Sequence, residues 1–396
     1  LWSGLANFDR VTTSHGPLTG VRVIDLASVV MGPYAAQLLG DMGADVIKVE
    51  PPAGDLTRIT RPQRNSGMGA LALNVNRNKR GIVLDLKSAA GQQALLKLVE
   101  SADILLTNMR PGALGRLGLD YDRLAAANPR LIYCNAQGFR TDSELAGLAA
   151  YDEIVQASSG LVDLMRRATG EPDYVPSILA DKVCALTITY SVLAALVHQR
   201  ATGQGQQVEV PMTDTLLAFN LVEHLSGQTF EPPLGPTGFN RSMAKPHRAV
   251  RTKDGWACIL PYTDRNIAAF FDAVGEPELA ADQRFQDHEQ RARNYSALYE
   301  LVEQFALRHT TAEWQEICGA RSIPFAPVQE LDEVAGNPYF APLITQAEHP
   351  TEGSYRQVGF PVRFSATPAT VRAHCPTLGQ HTGEVLAELG LDTMDQ

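Results

Sequence analysis

The alternation of short apolar runs with helical spacing organises the first half of the chain. Val21-Arg-Val-Ile-Asp-Leu26 has the length of a buried strand, Gly32-Pro33 leads a helical run from Tyr34 to Met42, and Asp45-Val-Ile-Lys-Val-Glu50 is a second strand. That is a βαβ unit. Pro51-Pro52-Ala53-Gly54-Asp55 then opens a loop rich in turn residues that runs without periodicity to about Gly69 and reads as a ligand-facing excursion. The pattern resumes with a strand from Ile82 to Leu86, a helix from Ser88 to Ser101, a strand from Asp103 to Thr107, a helix from Asp122 to Ala127 and a strand from Leu131 to Cys134. This order predicts a doubly wound α/β sheet, mostly parallel, with ligands met at the carboxyl ends of its strands.

Tyr151 to Val162 has helical spacing. The run from Asp181 to about Gln199 carries Val183, Leu186, Ile188, Val192, Leu193, Leu196 and Val197, so it is apolar over most of its circumference and expected to be buried. A strand at Val208 to Val210 and a helix from Asp214 to Leu225 follow. From about Gly227 the texture changes to a Pro/Gly-rich linker, then a hairpin turning at Asp254-Gly255 and helices at Arg265 to Val274, Ser296 to Arg308 and Ala312 to Ala320. Strands around Pro324 to Val328 and Gln357 to Phe364 lead to a short final helix, Thr382 to Leu389. The expected division is a large domain over 1–226, a smaller α+β domain over 227–330, and a return segment over 331–396 that packs back on the first.

Composition narrows the partners. The chain has 396 residues, 44% hydrophobic, with a formal net charge of -10, and this acidity argues against a nucleic-acid backbone as ligand. Five scattered cysteines without a CxxC pair point to reduced thiols and a cytoplasmic setting. Leu1 to Thr19 lacks the charged and apolar regions of a secretory leader, and the apolar runs are broken short of a membrane span.

Several chemistries lack their residues. The first strand-to-helix turn, Ala27 to Pro33, has no G-x-G-x-x-G, and no P-loop or G-x-S-x-G elbow occurs. Histidines never pair at metal-ligand spacing, so neither a metal nor a permanently bound cofactor is expected. Basic residues gather at Asn76-Arg77-Asn78-Lys79-Arg80 and at Asn108-Met109-Arg110-Pro111-Gly112 with Arg116 beyond; such loops suit a phosphorylated ligand, and equally a solvated face. Asp181 opens the long apolar helix. Its position fits a helix N-cap, and a carboxylate there is expected to stay ionised, able to attack a thioester carbonyl.

Gly20-Val-Arg-Val-Ile-Asp-Leu, Gly32-Pro33, Gly43-Ala44-Asp-Val-Ile-Lys-Val-Glu50-Pro, Gly54-Asp55, Asn76 to Arg80, Arg110-Pro111-Gly112 and Thr202-Gly203-Gln204-Gly205-Gln206 occur in order. Together they resemble the class III CoA-transferases, a family related to α-methylacyl-CoA racemase, over about Leu18 to Leu389. The resemblance implies a Rossmann-like large domain, a smaller second domain and an interlocked homodimer. It also implies that Asp181 is the covalent nucleophile, that acyl-CoA and a free carboxylic acid, dicarboxylates included, are substrates, and that no ATP is needed. Lys79, Asn108 and Arg116 match CoA-contacting positions, Lys48 lies where the adenine end is held, and Arg77 and Arg110 belong to the same basic loops. Tyr151 stands where the racemases carry a histidine base, and with a reference pKa near 10 tyrosine is a poor base at neutral pH, which favours transfer over racemisation. The racemase-like isomerase and a non-catalytic CoA-binding protein are the alternative readings. Val30 replaces a glutamine of formyl-CoA transferase, and no glycine-rich loop occurs near Pro236 to Pro246, so formyl and oxalyl groups are not the favoured acyl groups. Arg140, His247 and Arg248 are loop cations available to a distal carboxylate of the acceptor.

Overall fold

The computed structural model describes residues 16–391. The reading of the amino-terminal segment as lacking a leader falls, for residues 1–15, outside the described residues. Two compact units emerge: the first is built from the chain up to Ser159, Pro176–Leu217 and the chain from Pro338, the second from Gly160–Val175 and Ala218–Asn337. The boundaries expected at 226/227 and 330/331 therefore move, and residues 160–175 change sides. At 160 the chain turns at Gly160, whose left-handed conformation, φ 81°, separates one helix from the next, which begins at Leu161.

In the first unit the strands are β1 (Arg22–Asp25), β2 (Asp45–Glu50), β3 (Lys79–Val83), β4 (Ile104–Thr107), β5 (Ile132–Gln137) and β6 (Gln206–Pro211). Their order is β3-β2-β1-β4-β5-β6, with all pairs parallel. The helices are α1 (Met31–Asp41), α2 (Ala70–Val75), α3 (Ala89–Glu100), α4 (Pro111–Arg116), α5 (Tyr121–Ala127), α6 (Asp152–Ser158), then α7 (Leu161–Thr169) of the second unit, α8 (Leu179–Thr202), and α9 (Met212–His224), which passes from the first unit to the second after Leu217. The order reverses between β1 and β4, so the loops leaving these two strands open a crevice at their carboxyl ends. The apolar core on one side of the sheet joins Ile24, Ile47, Ile82 and Leu105 to Leu95 and Leu98 of α3.

β3 begins three residues earlier than its apolar pattern indicates. Lys79 and Arg80 hide the start because their charges are neutralised by partners inside the fold rather than by water. The excursion after β2 is also more ordered than expected, since it holds a 3-10 turn at Leu56–Ile59 and α2.

α8 is 24 residues long and, by length and composition alone, apolar enough to cross a membrane. Here it packs on α1, α6, β5 and β6. It is buried along one face, through Cys184, Ala185, Ile188 and Val192. Leu186 at 53% and Val197 at 72% exposure correct the expectation of a helix buried all round.

The second unit contains α10 (Asn240–Met243), β7 (Val250–Arg251), β8 (Trp256–Ile259), α11 (Asp264–Ala273), α12 (His288–Arg293), α13 (Tyr295–Ala306), α14 (Thr311–Arg321) and β9 (Phe325–Pro327). Its three antiparallel strands lie in the order β7-β8-β9. An aromatic core fills it, with Phe270 stacked on Trp314 at 5.8 Å and the Trp314 indole N–H donating to the Ala306 carbonyl at 2.8 Å.

The return segment forms a hairpin, β10 (Ile344–His349) with β11 (Gly353–Val358), where one later strand was expected. Residues 370–381 then run along the open edge of β3: the Asn78 N–H donates to the Ala373 carbonyl, the His381 N–H to the Gly81 carbonyl, and the Gly81 N–H to His381 Nδ1. α15 (Thr382–Glu388) buries Val385 and Leu386 in the first core, as its sequence indicated.

Candidate active site

At the carboxyl ends of β1, β4 and β5 lies a cavity of about 190 Å³. Its wall is made by the turn after β1 (Ser28 to Met31), by Asn108 and Arg110 after β4, by Gln137 to Phe139 at the end of β5, by Gly147 to Tyr151, and by Asp181 and Met212. Gly138 makes this geometry possible: a Cβ there would sit 2.4 Å from the Ala150 Cβ, so only glycine lets the segment before Tyr151 close against β5.

Asp181 occupies the third position of α8, whose N-cap is Ile178. It is therefore not the cap. Its backbone N–H donates at 3.0 Å to Oδ1 of Asp152, which supplies the capping oxygen from α6. Asp152 is itself 5% exposed, and its Oδ2 accepts from Gln156 at 2.6 Å. Burial pushes the Asp181 carboxyl up to about 7, and the charges of Asp152 and Glu153 push in the same direction. Desolvation outweighs the helix terminus here, so the expectation of a carboxylate held ionised at neutral pH is corrected to one that is shared with its proton near pH 7. Tyr151 is the N-cap residue of α6 and is 61% exposed.

The turn after β1 is held under strain. Val29 has φ 67°, a conformation costly for a β-branched residue, and its N–H donates to both Asp55 carboxylate oxygens at 3.2 and 3.3 Å. Ser28 is clamped by Asn108, which accepts its N–H at 2.9 Å and donates to its carbonyl at 2.8 Å. Asp55 also binds Thr57 and, at 3.1 Å, the Lys48 ammonium. The sequence offered Gly54-Asp55 as a motif but assigned this carboxylate no work; it fixes the cavity's rim.

The basic residues divide sharply. Lys48 is fully buried between Asp55 and the Ala27 carbonyl, with Asp25 at 3.8 Å. Lys79 spends its three donors on Asp25, the Pro33 carbonyl and Asn76, at 2.7, 2.7 and 2.8 Å. Arg77 pairs with Asp41 at 2.6 Å and donates to the Val358 carbonyl. These three form buried ion pairs beneath the site, which corrects their assignment as ligand contacts: a lysine with every N–H engaged inside the protein offers none to a phosphate. Asn108 and Arg110 do reach the cavity, and Arg116 is exposed at the end of α4.

The cations assigned to an acceptor carboxylate are not gathered within one unit. Arg140, in the first, is paired with Asp142 at 3.0 Å and Asp214 at 3.5 Å. In the second, Arg248 binds Glu303 at 2.9 Å, and burial and the Arg241 charge lower the His247 pKa. Sequence reasoning missed Asp152, Asp55 and Gln137. The last had a signal, an amide as the final residue of a buried strand just before a glycine.

The geometry on β1, β4 and β5 matches known proteins. The profile of the CoA-transferase family III fits residues 18–382, and the chain belongs to this family and is an enzyme of its class. It is 31% identical to succinate–glutarate CoA-transferase of Agrobacterium fabrum, covering 94% of this chain and 96% of that one. It is 35% identical to acetyl-CoA:oxalate CoA-transferase of Acetobacter aceti over 82% of this chain and 84% of the relative. Among solved structures, a CAIB/BAIF family protein from Brucella suis superposes with a TM-score of 0.80 at 29% identity, over 95% of this chain and 100% of that one.

Proposed function

We propose that the protein moves CoA from an acyl-CoA donor to a free carboxylic acid through covalent intermediates on Asp181. The observation that carries this reading is the Asp181 carboxyl on the wall of a cavity whose other ionisable lining groups are Tyr151 and Arg110. The ionised carboxylate attacks the acyl carbonyl, the C–S bond breaks, and CoA leaves as thiolate, giving a mixed anhydride. The thiolate then attacks the aspartyl carbonyl, releases the donor acid and leaves an aspartyl-CoA thioester. The acceptor carboxylate displaces CoA from this thioester, and the returning thiolate takes the new acyl group and frees Asp181. One thioester is exchanged for another, so no ATP is needed.

A racemase would need a second base across the substrate α-carbon, and Tyr151 is poorly suited to that at neutral pH. Racemisation would incorporate deuterium from heavy water without an acceptor acid; the proposed reaction does not. A relative named for succinate and glutarate supports small dicarboxylates of that length as the acids to try first.

Because Asp181 titrates near 7, kcat/KM for acyl-CoA should rise with pH below that value and level off above it. Asp152→Asn keeps an oxygen for the Asp181 N–H but removes the neighbouring charge, so the break in the pH profile should move to lower pH. An unmoved break would show that Asp152 does not tune the nucleophile.

We also propose a homodimer. Leu186, Tyr190 and Val197 share one face of α8 at 53, 63 and 72% exposure, an apolar stripe suited to a second copy. Light scattering should give about twice the 42.9 kDa chain mass. A monomer at micromolar concentration would refute this.

A further inference from the structure

We propose that Gln137 binds the acyl-CoA substrate, its side-chain oxygen accepting a hydrogen bond from an amide N–H of the pantetheine arm. Gln137 is the last residue of β5, lines the cavity and is 8% exposed. Its Nε2 donates to Glu209 Oε1 at 3.2 Å. Glu209 is held in turn by Thr141, whose N–H donates to the same oxygen at 2.7 Å and whose hydroxyl donates to Oε2 at 3.2 Å. A carboxylate only accepts, so the amide nitrogen must face Glu209 and the amide oxygen is left over. That oxygen is buried and has no partner among the described residues.

A buried acceptor without a donor is uncommon and costs about 1–3 kcal/mol. Here it belongs to a residue on the wall of the ligand cavity, so the ligand is the natural source of the missing donor. The chemistry of the substrates identifies which part supplies it. At neutral pH the donor and acceptor acids are carboxylates, CoA departs as thiolate, and the phosphates are anions; all of these bring acceptors. CoA carries other donors in its adenine amino group and its ribose and pantoyl hydroxyls, but the neutral amide N–H groups of the pantetheine arm lie nearest the sulfur that must reach Asp181. A hydroxyl on the acyl group would offer the same kind of donor, and the test separates the two.

The inference rests on the CoA-transfer reading, so its main readout is binding of CoA itself, which does not require turnover. Gln137→Met in the full chain keeps the length of the side chain and removes the acceptor. Its Kd for CoA by calorimetry should rise about three- to tenfold, the worth of one neutral hydrogen bond. The KM for acyl-CoA should rise alongside while the KM for the acid and kcat stay within about twofold. The variant loses the Nε2 bond to Glu209 together with the unsatisfied oxygen, so a melting curve is run beside the titration to confirm that it remains folded. A CoA analogue with esters in place of the arm amides should bind wild type more weakly and be indifferent to Gln137→Met. Unchanged Kd for CoA in the variant would overturn the proposal and assign the oxygen to a bound water. An effect confined to hydroxylated acyl groups would overturn the arm as its partner. Failure to acylate Asp181 in the wild type would instead remove the transfer mechanism and leave the CoA-binding measurement standing.

Discussion

Asp181→Asn should abolish CoA exchange, lowering kcat by on the order of a thousandfold or more, while the protein folds and becomes more stable. Incubating wild type with a panel of acyl-CoAs and trapping with hydroxylamine should modify Asp181, found by peptide mass spectrometry, and the variant should remain unlabelled. Ordinary turnover by Asp181→Asn would end the proposed mechanism. The stability gain has a definite pH dependence. The carboxyl titrates at about 7 in the folded chain against 3.8 in the unfolded one. Between these values the folded state holds a proton that the unfolded state has lost, so the wild type loses stability as pH rises from about 4 to about 7 and stays level above. The advantage of the amide variant should therefore grow across that window and then stop growing. An equal melting temperature for both proteins at pH 8 would show that the carboxylate is not strained by its surroundings.

Asp25→Ala should be the most damaging change away from the cavity, at about 3–5 kcal/mol. Asp25, Asp55, Lys48 and Lys79 form a buried group of two carboxylates and two ammonium ions, with Lys79 at 2.7 Å from Asp25 and Lys48 at 3.1 Å from Asp55. Removing Asp25 leaves one positive charge in excess within this buried group. Lys79→Met leaves one negative charge in excess and should also destabilise. Combining them restores the balance, so the double variant should be more stable than the sum of the two losses requires, a coupling measurable by urea unfolding. Additive losses would show that the four groups do not act as a unit. The Asp25 variant should also lose order in the turn after β1, since Asp25 accepts the Ala27 N–H at 3.1 Å.

The doubly wound plan was legible because buried parallel strands carry continuous apolar runs, and β1, β2 and β4 stood out on that ground. β3 was displaced because its first two residues are charged, and a period of apolar residues cannot register a lysine neutralised from inside. The same limit governed the site. Asp181 and Tyr151 were found through the family resemblance and do line the cavity, whereas Lys48 and Lys79, placed as ligand contacts by the same resemblance, and Arg77, placed by its basic loop, are buried in ion pairs. A sequence gives the sign of a side chain but not the identity of its counter-ion, and the counter-ions Asp25 and Asp41 lie 54 and 36 residues away. Asp152 went unnoticed as a capping group because it acts on a helix that begins far along the chain. The split of α6 from α7 was missed since one glycine does not interrupt helical spacing, although its positive φ does turn the chain.

The strap over β3 has a consequence for biosynthesis. Residues 370–381 and α15 are translated after the rest of the first unit, yet Ala373 supplies a carbonyl, and His381 an N–H and its Nδ1, to a strand made nearly three hundred residues earlier. Until they arrive, the edge of β3 is an open template and the first unit lacks Val385 and Leu386 from its core. A nascent chain stalled before Thr370 should therefore be protease-sensitive and chaperone-bound, even though Asp181 and every other cavity-lining residue have already been translated.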